Sequence, residues 1–236
     1  MLQVDHLQAG YGQSQVLHGV SLHVAAGEIV ALLGRNGAGR STLAKALMGL
    51  LPSSGSVRWH GQEMAAKQTF ERAQLGLGYV PESRDVFPGL TVAQNLRLGQ
   101  KSSRSTGRWT QAEMYQLFPP LLARQHTPAG VLSGGEQQML ALCRSLMGDP
   151  ALILLDEPTE GLAPQMVARV AQFLQALKQK GVSVLLIEQK LSLALEVADR
   201  CLVMGHGRIV YSGTPAQLRL APAVQQEWLA LGAKIR

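Results

Sequence analysis

Cysteines are nearly absent from this sequence, and so are the segments that would carry it into or across a membrane. Only Cys143 and Cys201 occur among the 236 residues, and both lie within apolar segments. They predict buried free thiols in a reducing compartment and argue against a disulfide. No apolar run approaches the roughly 20 residues of a membrane-spanning helix, and the N-terminus lacks the pattern of a signal peptide. We therefore expect a soluble intracellular protein.

Charged residues are also scarce, at 16% of the chain, whereas hydrophobic residues make up 46%, which is enough for a sizeable core in one or two domains. The net charge is nevertheless +6. The basic residues are scattered and form no basic helix or aromatic-spaced patch, which argues against a protein that recognises nucleic acid. A solvated basic surface, an acidic ligand such as a nucleotide and a site near anionic lipid all remain open.

The hydrophobic pattern changes twice along the chain. LQVDHL, VLHGVSLHV, EIVALL and the stretch at about Leu77 to Val80 predict strands. Helical spacing then dominates from Phe87 to Arg144, interrupted by a polar surface loop predicted at Gly99 to Arg108. ALILLDE and VSVLLIE read as buried parallel strands, and helices alternate with them. This order predicts an α/β fold with a sheet that is parallel at its centre.

A glycine-rich loop follows the strand EIVALL and leads into the helical pattern STLAKALMGLL. Its residues are Gly34, Arg35, Asn36, Gly37, Ala38, Gly39, Arg40, Ser41 and Thr42. Glycines let successive N–H groups point inward at phosphate oxygens, and the following helix adds its positive N-terminal end. Ser41 is placed to ligate Mg²⁺. A glycine-rich turn with no ligand is the alternative.

Arg40 stands where such a loop usually has lysine before its Ser/Thr pair. Arginine keeps the charge but is a wider, planar fork, so the exchange is not conservative beside a crowded phosphate. Arginine could serve with some loss of rate, the loop could bind ATP with poor turnover, or a different partner chain could supply the competent site. We expect real but attenuated hydrolysis.

Two carboxylates end the apolar strand of ALILLDE. Asp156 and Glu157 come at the carboxyl end of this strand, where open α/β sheets bind ligands. In that position Asp156 would hold Mg²⁺ through water, and Glu157 would orient or deprotonate an attacking water. An acidic pair that merely starts a helix is the alternative.

LSGGEQQ is a third motif and stands at the start of a predicted helix. Ser133 and Glu136 have the spacing of a capping box, so capping alone explains them. It does not explain Gly134 and Gly135, because two glycines weaken a first helical turn unless something must approach the backbone closely. This pattern therefore points to a contact with a ligand.

GRNGAGRST, LSGGEQQ and LILLDEP together resemble the motifs of the ATP-binding cassette ATPases, in that family's order and over essentially the whole chain. The resemblance implies a P-loop NTPase of the α/β class, with a mixed β-sheet core, an N-terminal antiparallel β-subdomain and a helical subdomain. One domain would span residues 1–236, with a nucleotide-binding core at about 1–86 and 145–236 and the helical subdomain at about 87–144. ATP and Mg²⁺ would be the cofactors.

The same resemblance assigns further roles. It implies that Ser133, Gly134, Gly135 and Glu136 contact the ATP bound to a second cassette, so that two cassettes enclose two ATPs head to tail.

Four positions outside the three motifs carry over or depart from the family pattern. Tyr11 would stack on adenine, unless it is an ordinary aromatic at a strand end. Glu82 takes the place of a glutamine that senses Mg²⁺ and faces the membrane subunit. Gln189 takes the place of a histidine that touches the γ-phosphate. Gln189 would therefore be a catalytic residue together with Glu157. Ala163 replaces the usual aspartate.

VPE, GLAP and IEQ resemble the ATPases of branched-chain amino acid and urea importers, and other segments lean slightly toward urea or short amides. We expect an ATPase at the cytoplasmic face of the cell membrane. Its partners would be a second cassette, identical or different, transmembrane permease subunits and, indirectly, a periplasmic solute-binding protein, with no nucleic acid. A non-hydrolysing nucleotide-binding subunit is the main alternative. A nucleic-acid-associated cassette fits less well, and a small-molecule kinase or GTPase does not explain LSGGEQQ.

Overall fold

The structure is a computed structural model that describes residues 1–100 and 107–229. The surface loop predicted for Gly99 to Arg108 falls mostly outside the described residues. No helix within the described ranges is long and apolar enough to cross a membrane. Cys143 and Cys201 are free and buried, as predicted. Burial raises the pKa of the Cys143 thiol, and it raises the pKa of Cys201 to about 11.

Strands account for most of the regular structure in the first third of the described chain. The strands are β1 (Leu2–Tyr11), β2 (Ser14–Val24), β3 (Ile29–Leu33), β4 (Ser53–Trp59), β5 (Gln62–Glu63), β6 (Leu77–Val80), β7 (Leu152–Asp156), β8 (Ser183–Glu188), β9 (Arg200–Gly205) and β10 (Arg208–Gly213). The predicted strand at Leu77 to Val80 is thus confirmed.

Helices fill the spaces between the later strands. They are α1 (Arg40–Leu47), α2 (Thr69–Gln74), α3 (Val92–Gly99), α4 (Gln111–Leu117), α5 (Pro119–Ala123), α6 (Gly134–Leu146), α7 (Pro164–Gln179), α8 (Leu191–Val197), α9 (Pro215–Arg219) and α10 (Pro222–Trp228), with a short 3₁₀ turn at Ala129–Val131.

The helical spacing of TQAEMYQLFPPLL is interrupted in the structure. Helix α4 ends at Leu117, and Phe118 leaves the helical conformation, with φ −133° and ψ 78°, before a new helix begins at Pro119. A residue before proline is disfavoured in the helical region, which explains the break. Within the described residues, α3 to α6 and no named strand occupy the section predicted to be helical. The subdomain boundaries near residues 86 and 145 remain predictions.

The described part of the chain contains two sheets. Strands β2-β1-β4-β5 form an antiparallel sheet, and β10-β9-β3-β8-β7-β6 form a six-stranded sheet. In the second sheet β9, β3, β8, β7 and β6 run parallel, and β10 pairs antiparallel at the edge. The mixed core sheet and the N-terminal antiparallel sheet therefore match the predicted fold class.

Strands β3, β7 and β8 are buried along their whole length, because apolar layers cover both faces of the six-stranded sheet. One layer includes Phe118, Leu140 and Phe173 of the helical side, and the other includes Leu43 of α1 and Val4 of the N-terminal sheet. Since the three strands are parallel neighbours, their carboxyl ends meet at one edge. That edge carries the glycine loop after β3, Glu157 after β7 and Gln189 after β8.

Candidate active site

A cavity of about 490 Å³ opens at this edge of the sheet. It is lined by Val16, Arg35, Asn36, Gly37, Ala38, Gly39, Arg40, Ser41, Thr42, Glu82, Glu157, Glu160 and Gln189. The structure thus brings together the glycine loop, Glu82 and both residues predicted to be catalytic, although they are far apart in sequence.

The glycine loop needs its glycines for conformation and for space. Gly39 has a φ of +103°, a left-handed conformation that other residues adopt only with strain. At Gly34 a Cβ atom would lie 2.5 Å from the carbonyl oxygen of Met204 in β9. Helix α1 begins directly after the loop, at Arg40, so the free N–H groups of its first turn face the cavity. Such a cradle suits phosphate oxygens.

Arg40 reaches back across the cradle. Its side chain is only 4% exposed and donates through Nη1 to the carbonyl oxygens of Gly34 and Arg35, the latter at 2.6 Å. Nη2 donates to Oε1 of Glu157. Among the residues that the structure describes, the buried Nε atom has no hydrogen-bond partner. The wide guanidinium group therefore binds the loop and the acidic residue at the same time.

Glu157 is held in an unusual backbone conformation. Its φ is +49°, which is uncommon for a residue with a side chain. Its N–H donates to the carbonyl oxygen of Ile187 at 2.9 Å. Nε2 of Gln189 lies 3.0 and 2.8 Å from the two carboxylate oxygens and 2.5 Å from Oδ1 of Asn36. Gln189 and Arg40 thus approach the same carboxylate.

Asp156 sits one residue deeper, at the end of β7. Oγ of Ser41 donates to its Oδ1 at 3.0 Å, and the hydroxyl of Tyr79 donates to its Oδ2 at 3.2 Å. Burial raises the pKa of the Asp156 carboxyl, while these two hydrogen bonds lower it and the nearby charges of Glu157 and Glu82 raise it. Burial also raises the pKa of Tyr79, and Asp156 raises it further.

The donor set fits Mg²⁺. A serine hydroxyl beside a carboxylate offers the hard oxygen ligands that this ion prefers. The described residues contain no group of three or more His, Cys, Asp or Glu side chains that could hold a metal alone. That agrees with an ion bound by few protein oxygens and completed by phosphate oxygens. Ser41 and Asp156 would be those ligands, with Glu82 on the cavity wall beside them.

Tyr11 lies outside this cavity. Its ring is 47% exposed at the end of β1 and lines an open cleft with the β1–β2 turn and residues 51–54. Nζ of Lys45 is 5.9 Å from the ring centroid. The ring is accessible, and its stacking on adenine remains a prediction.

Ser133 and Glu136 form the predicted capping box at the start of α6. The Ser133 N–H and hydroxyl donate to Oε2 of Glu136 at 2.8 and 2.9 Å, and the Glu136 N–H donates to Oγ of Ser133 at 3.3 Å. Ser133, Gly135 and Glu136 line a separate cavity of about 380 Å³, as does Ala163. Within one chain these residues do not line the cavity of the glycine loop. The contact of Ser133, Gly135 and Glu136 with a nucleotide bound to a second chain stays a prediction.

Two polar side chains at this edge were not anticipated from the sequence. Tyr79 binds Asp156, and Glu188 binds Thr159. The only signals were a tyrosine in the strand before VPE and a glutamate inside the apolar strand VSVLLIE. Neither identifies a partner.

A family model for "ABC transporter" matches residues 17–160 of this chain. The chain belongs to the ABC transporter family. A high-affinity branched-chain amino acid transport ATP-binding protein of Pseudomonas aeruginosa, BraG, is 42% identical over 97% of this chain and 99% of its own length. A probable branched-chain amino acid transport ATP-binding protein of Archaeoglobus fulgidus, LivF, is 34% identical over 92% of this chain and 94% of its own length.

Solved structures agree with the family. A nucleotide-free ATP-binding cassette from an ABC transporter superposes with a TM-score of 0.82 at 26% identity, covering 98% of this chain and 99% of that chain. The resemblance predicted from the three motifs and the predicted fold class are therefore confirmed. Neither BraG nor LivF carries a name that mentions urea, so the lean toward urea or short amides gains no support from them.

Proposed function

We propose that this ABC cassette is the ATP-hydrolysing subunit of an importer and energises the uptake of branched-chain amino acids through separate membrane subunits. The names of BraG and LivF support this solute class. Urea or short amides, toward which the sequence leans slightly, remain the alternative solutes.

One observation carries the hydrolytic part of the proposal. The Glu157 carboxylate lies in the wall of the cavity that the glycine loop lines, within hydrogen-bond distance of Gln189. A base must lie within such reach of the water it activates, and the cavity gives Glu157 that access. Gln189 orients the carboxylate and bridges it to Asn36 of the glycine loop. The acid–base and orienting groups are thus already assembled in one chain.

The remaining residues of the cavity bind the phosphate groups and Mg²⁺. The N–H groups from Gly34 to Thr42 bind phosphate oxygens, and Ser41 and Asp156 hold Mg²⁺, with Glu82 beside them. When bound, Mg²⁺ neutralises the negative charge that develops on the transferred phosphoryl group. Tyr79 fixes the orientation of Asp156 through its hydroxyl.

Arg40 has to exchange partners during this cycle. Its guanidinium contacts two loop carbonyls and Glu157, so phosphate oxygens compete with these acceptors for it. Until Arg40 moves, the guanidinium group occupies one oxygen of the Glu157 carboxylate and stands in the way of a water molecule there. This contact is a physical reason for attenuated turnover.

The assembly follows from the family. The chain pairs with a second cassette, identical or different, whose nucleotide meets Ser133, Gly134, Gly135 and Glu136. It docks on transmembrane permease subunits at the cytoplasmic face of the membrane, and a periplasmic solute-binding protein acts through them. No nucleic acid takes part.

Phosphate release with Mg-ATP tests the proposal, with the native chain compared with Glu157→Gln. Light scattering on both chains reports whether ATP brings two cassettes together. We expect steady turnover by the native chain, and we expect Glu157→Gln to form an ATP-dependent dimer without turnover. A native chain that does not turn over ATP contradicts the proposal, whether or not ATP brings two cassettes together.

A second candidate is a cassette that binds ATP without cleaving it and relies on an active partner. The buried Arg40–Glu157 ion pair favours it, because this contact occupies the base. It predicts nucleotide-dependent dimerisation with no phosphate release from the native chain.

A further inference from the structure

Glu188 is a buried carboxylate at the carboxyl end of β8 to which no role has been assigned. Its side chain is 2% exposed, and both of its oxygens accept hydrogen bonds. Oε1 accepts from the hydroxyl of Thr159 at 2.6 Å and from its N–H at 3.2 Å. Oε2 lies 3.2 and 3.4 Å from the N–H groups of Gln189 and Lys190. A buried carboxylate of this kind persists only where its hydrogen bonds are complete.

Thr159 is the other half of this contact. It is fully buried, and its carbonyl oxygen accepts a hydrogen bond from Nζ of Lys190 at 2.8 Å. Its hydroxyl, N–H and carbonyl groups are therefore all bound by residues 188–190. Thr159 lies two residues after Glu157, at the centre of the turn that leads to α7.

Two consecutive residues at the end of β8, Glu188 and Gln189, bind two different residues of the segment after β7. Glu188, the last residue of β8, binds Thr159, and Gln189, which directly follows β8, binds the carboxylate of Glu157. The short segment after β7 is thereby held at two points, 157 and 159, by two consecutive residues at the end of the neighbouring strand.

The backbone of Glu157 explains why two points are needed. A non-glycine residue with positive φ persists only where its surroundings over-determine it. The Ile187 carbonyl oxygen accepts from the Glu157 N–H, and Arg40 and Gln189 contact the Glu157 carboxylate. These contacts do not fix the path of residues 158 and 159. Without a hold at residue 159, the turn can relax and the carboxylate can swing away.

We propose that Glu188 and Thr159 are positioning residues that hold Glu157 in the orientation used for hydrolysis. The effect on turnover rests on the proposed ATPase function, whereas the hold on the turn does not. The competing interpretation is a buried hydrogen bond that contributes only stability.

Four variants separate these interpretations. Thr159→Val removes the hydroxyl at nearly constant shape, and Thr159→Ser restores it. Glu188→Gln keeps one acceptor oxygen but replaces the other by a donor, which cannot accept from an N–H group. Glu28→Gln is the matched control, because Glu28 binds Arg200 and the Ala25 N–H at the opposite ends of the strands.

Hydrogen exchange in the nucleotide-free chain is the first measurement. We expect Glu188→Gln and Thr159→Val to speed amide exchange at residues 157–162 and to leave β3 unchanged, whereas Glu28→Gln and Thr159→Ser leave residues 157–162 at the native rate. Unchanged exchange at residues 157–162 in both Glu188→Gln and Thr159→Val overturns the proposal, whatever the chain does with ATP.

ATP kinetics is the second measurement. We expect Thr159→Val to lower kcat by about ten- to a hundredfold, because small misplacements of a reacting group have effects of that size, with KM within about threefold of native. Thr159→Ser should recover most of kcat. Equal kcat in Thr159→Val and Glu28→Gln, at equal losses of Tm, means a stabilising role only and overturns the proposal. A native chain without turnover refutes the proposed function instead. The hydrogen-exchange data alone then show whether Glu188 and Thr159 hold the turn at residues 157–162.

Discussion

Nη2 of Arg40 donates a hydrogen bond to Oε1 of Glu157, and so joins the glycine loop to the residue that follows β7. The two side chains are only 4% and 8% exposed. A buried ion pair adds little net stability, but the loss of one partner leaves an uncompensated charge. Arg40 therefore lies against the acidic residue in the cavity wall, and phosphate has to compete for its guanidinium group.

The first prediction concerns the coupling between these two residues. In the absence of nucleotide, Arg40→Met should destabilise the native chain more than it destabilises the Glu157→Gln chain. The second effect is the difference between the double variant Arg40→Met/Glu157→Gln and Glu157→Gln. The reason is that the Glu157→Gln substitution leaves a neutral amide, so the loss of Arg40 then strands no buried charge. We expect a coupling of about 1–3 kcal/mol in the free energy of unfolding. Urea unfolding of the four chains measures it, and additive effects of the two substitutions contradict the ion pair.

The second prediction is a pH dependence at Glu188. Burial raises the pKa of its carboxyl above the ordinary 4.5, although the hydrogen bonds of Thr159 and Lys190 and the charge of Lys190 lower it. The folded chain therefore holds this proton more tightly than the unfolded chain. Its stabilising contribution is full below pH 4.5 and is lost as the pH rises through the raised pKa.

Glu188→Gln cannot lose this proton, so the variant should gain free energy of unfolding relative to the native chain as the pH rises from about 4 to 8. Urea unfolding at several pH values measures the difference. Glu28→Gln is the control with the opposite trend. Burial pushes the pKa of Glu28 up, but hydrogen bonds from Arg200 and Ala25 bring it below its ordinary value. A pH-independent difference for Glu188→Gln would refute the raised pKa.

The third prediction concerns Arg72, which closes the far end of helix α1. Its side chain is 4% exposed and donates to the carbonyl oxygens of Ala46, Leu47, Met64 and Lys67 at 2.7 to 3.0 Å. Arg72→Met removes the guanidinium donor from all four oxygens, although Ala46 and Met64 keep the backbone N–H donors of Gly49 and Lys67. We expect a loss of about 2–4 kcal/mol in the free energy of unfolding, measured by urea unfolding.

Arg58→Met is the matched control for this substitution. Arg58 is 48% exposed, and its contact with Glu63 spans 3.9 Å. A surface pair of this kind contributes about 0–1 kcal/mol, so the control should be close to native. Similar losses in the two variants would show that the contacts of Arg72 carry no special weight.

Local patterns predicted the strands and the loop well. EIVALL, ALILLDE and VSVLLIE are continuous apolar runs, and the structure has β3, β7 and β8 there. Glycines and a following helical pattern predicted the tight turn that leads into α1, whereas its binding of phosphate stays a prediction. These features depend on short-range periodicity and on steric limits of the backbone, which a single sequence carries.

Long-range polar partners were not predictable in this way. The Arg40–Glu157 contact spans 117 residues and the Tyr79–Asp156 contact spans 77. Nothing in the local pattern around Glu188 or Arg72 says which groups they meet, because the sheet order alone determines those encounters. The break between α4 and α5 was readable from Pro119, but the helical spacing outweighed it.

Steady-state ATP hydrolysis by the native chain, beside Glu157→Gln and Arg40→Lys, tests the central claim most directly. We expect turnover by the native chain, none by Glu157→Gln and a severalfold higher kcat for Arg40→Lys, since a compact ammonium group leaves Glu157 free. Equal values of kcat for the native chain and Arg40→Lys would refute the prediction that Arg40 slows hydrolysis. A silent native chain that Arg40→Lys restores would contradict the account, because this cassette would then bind ATP without cleaving it.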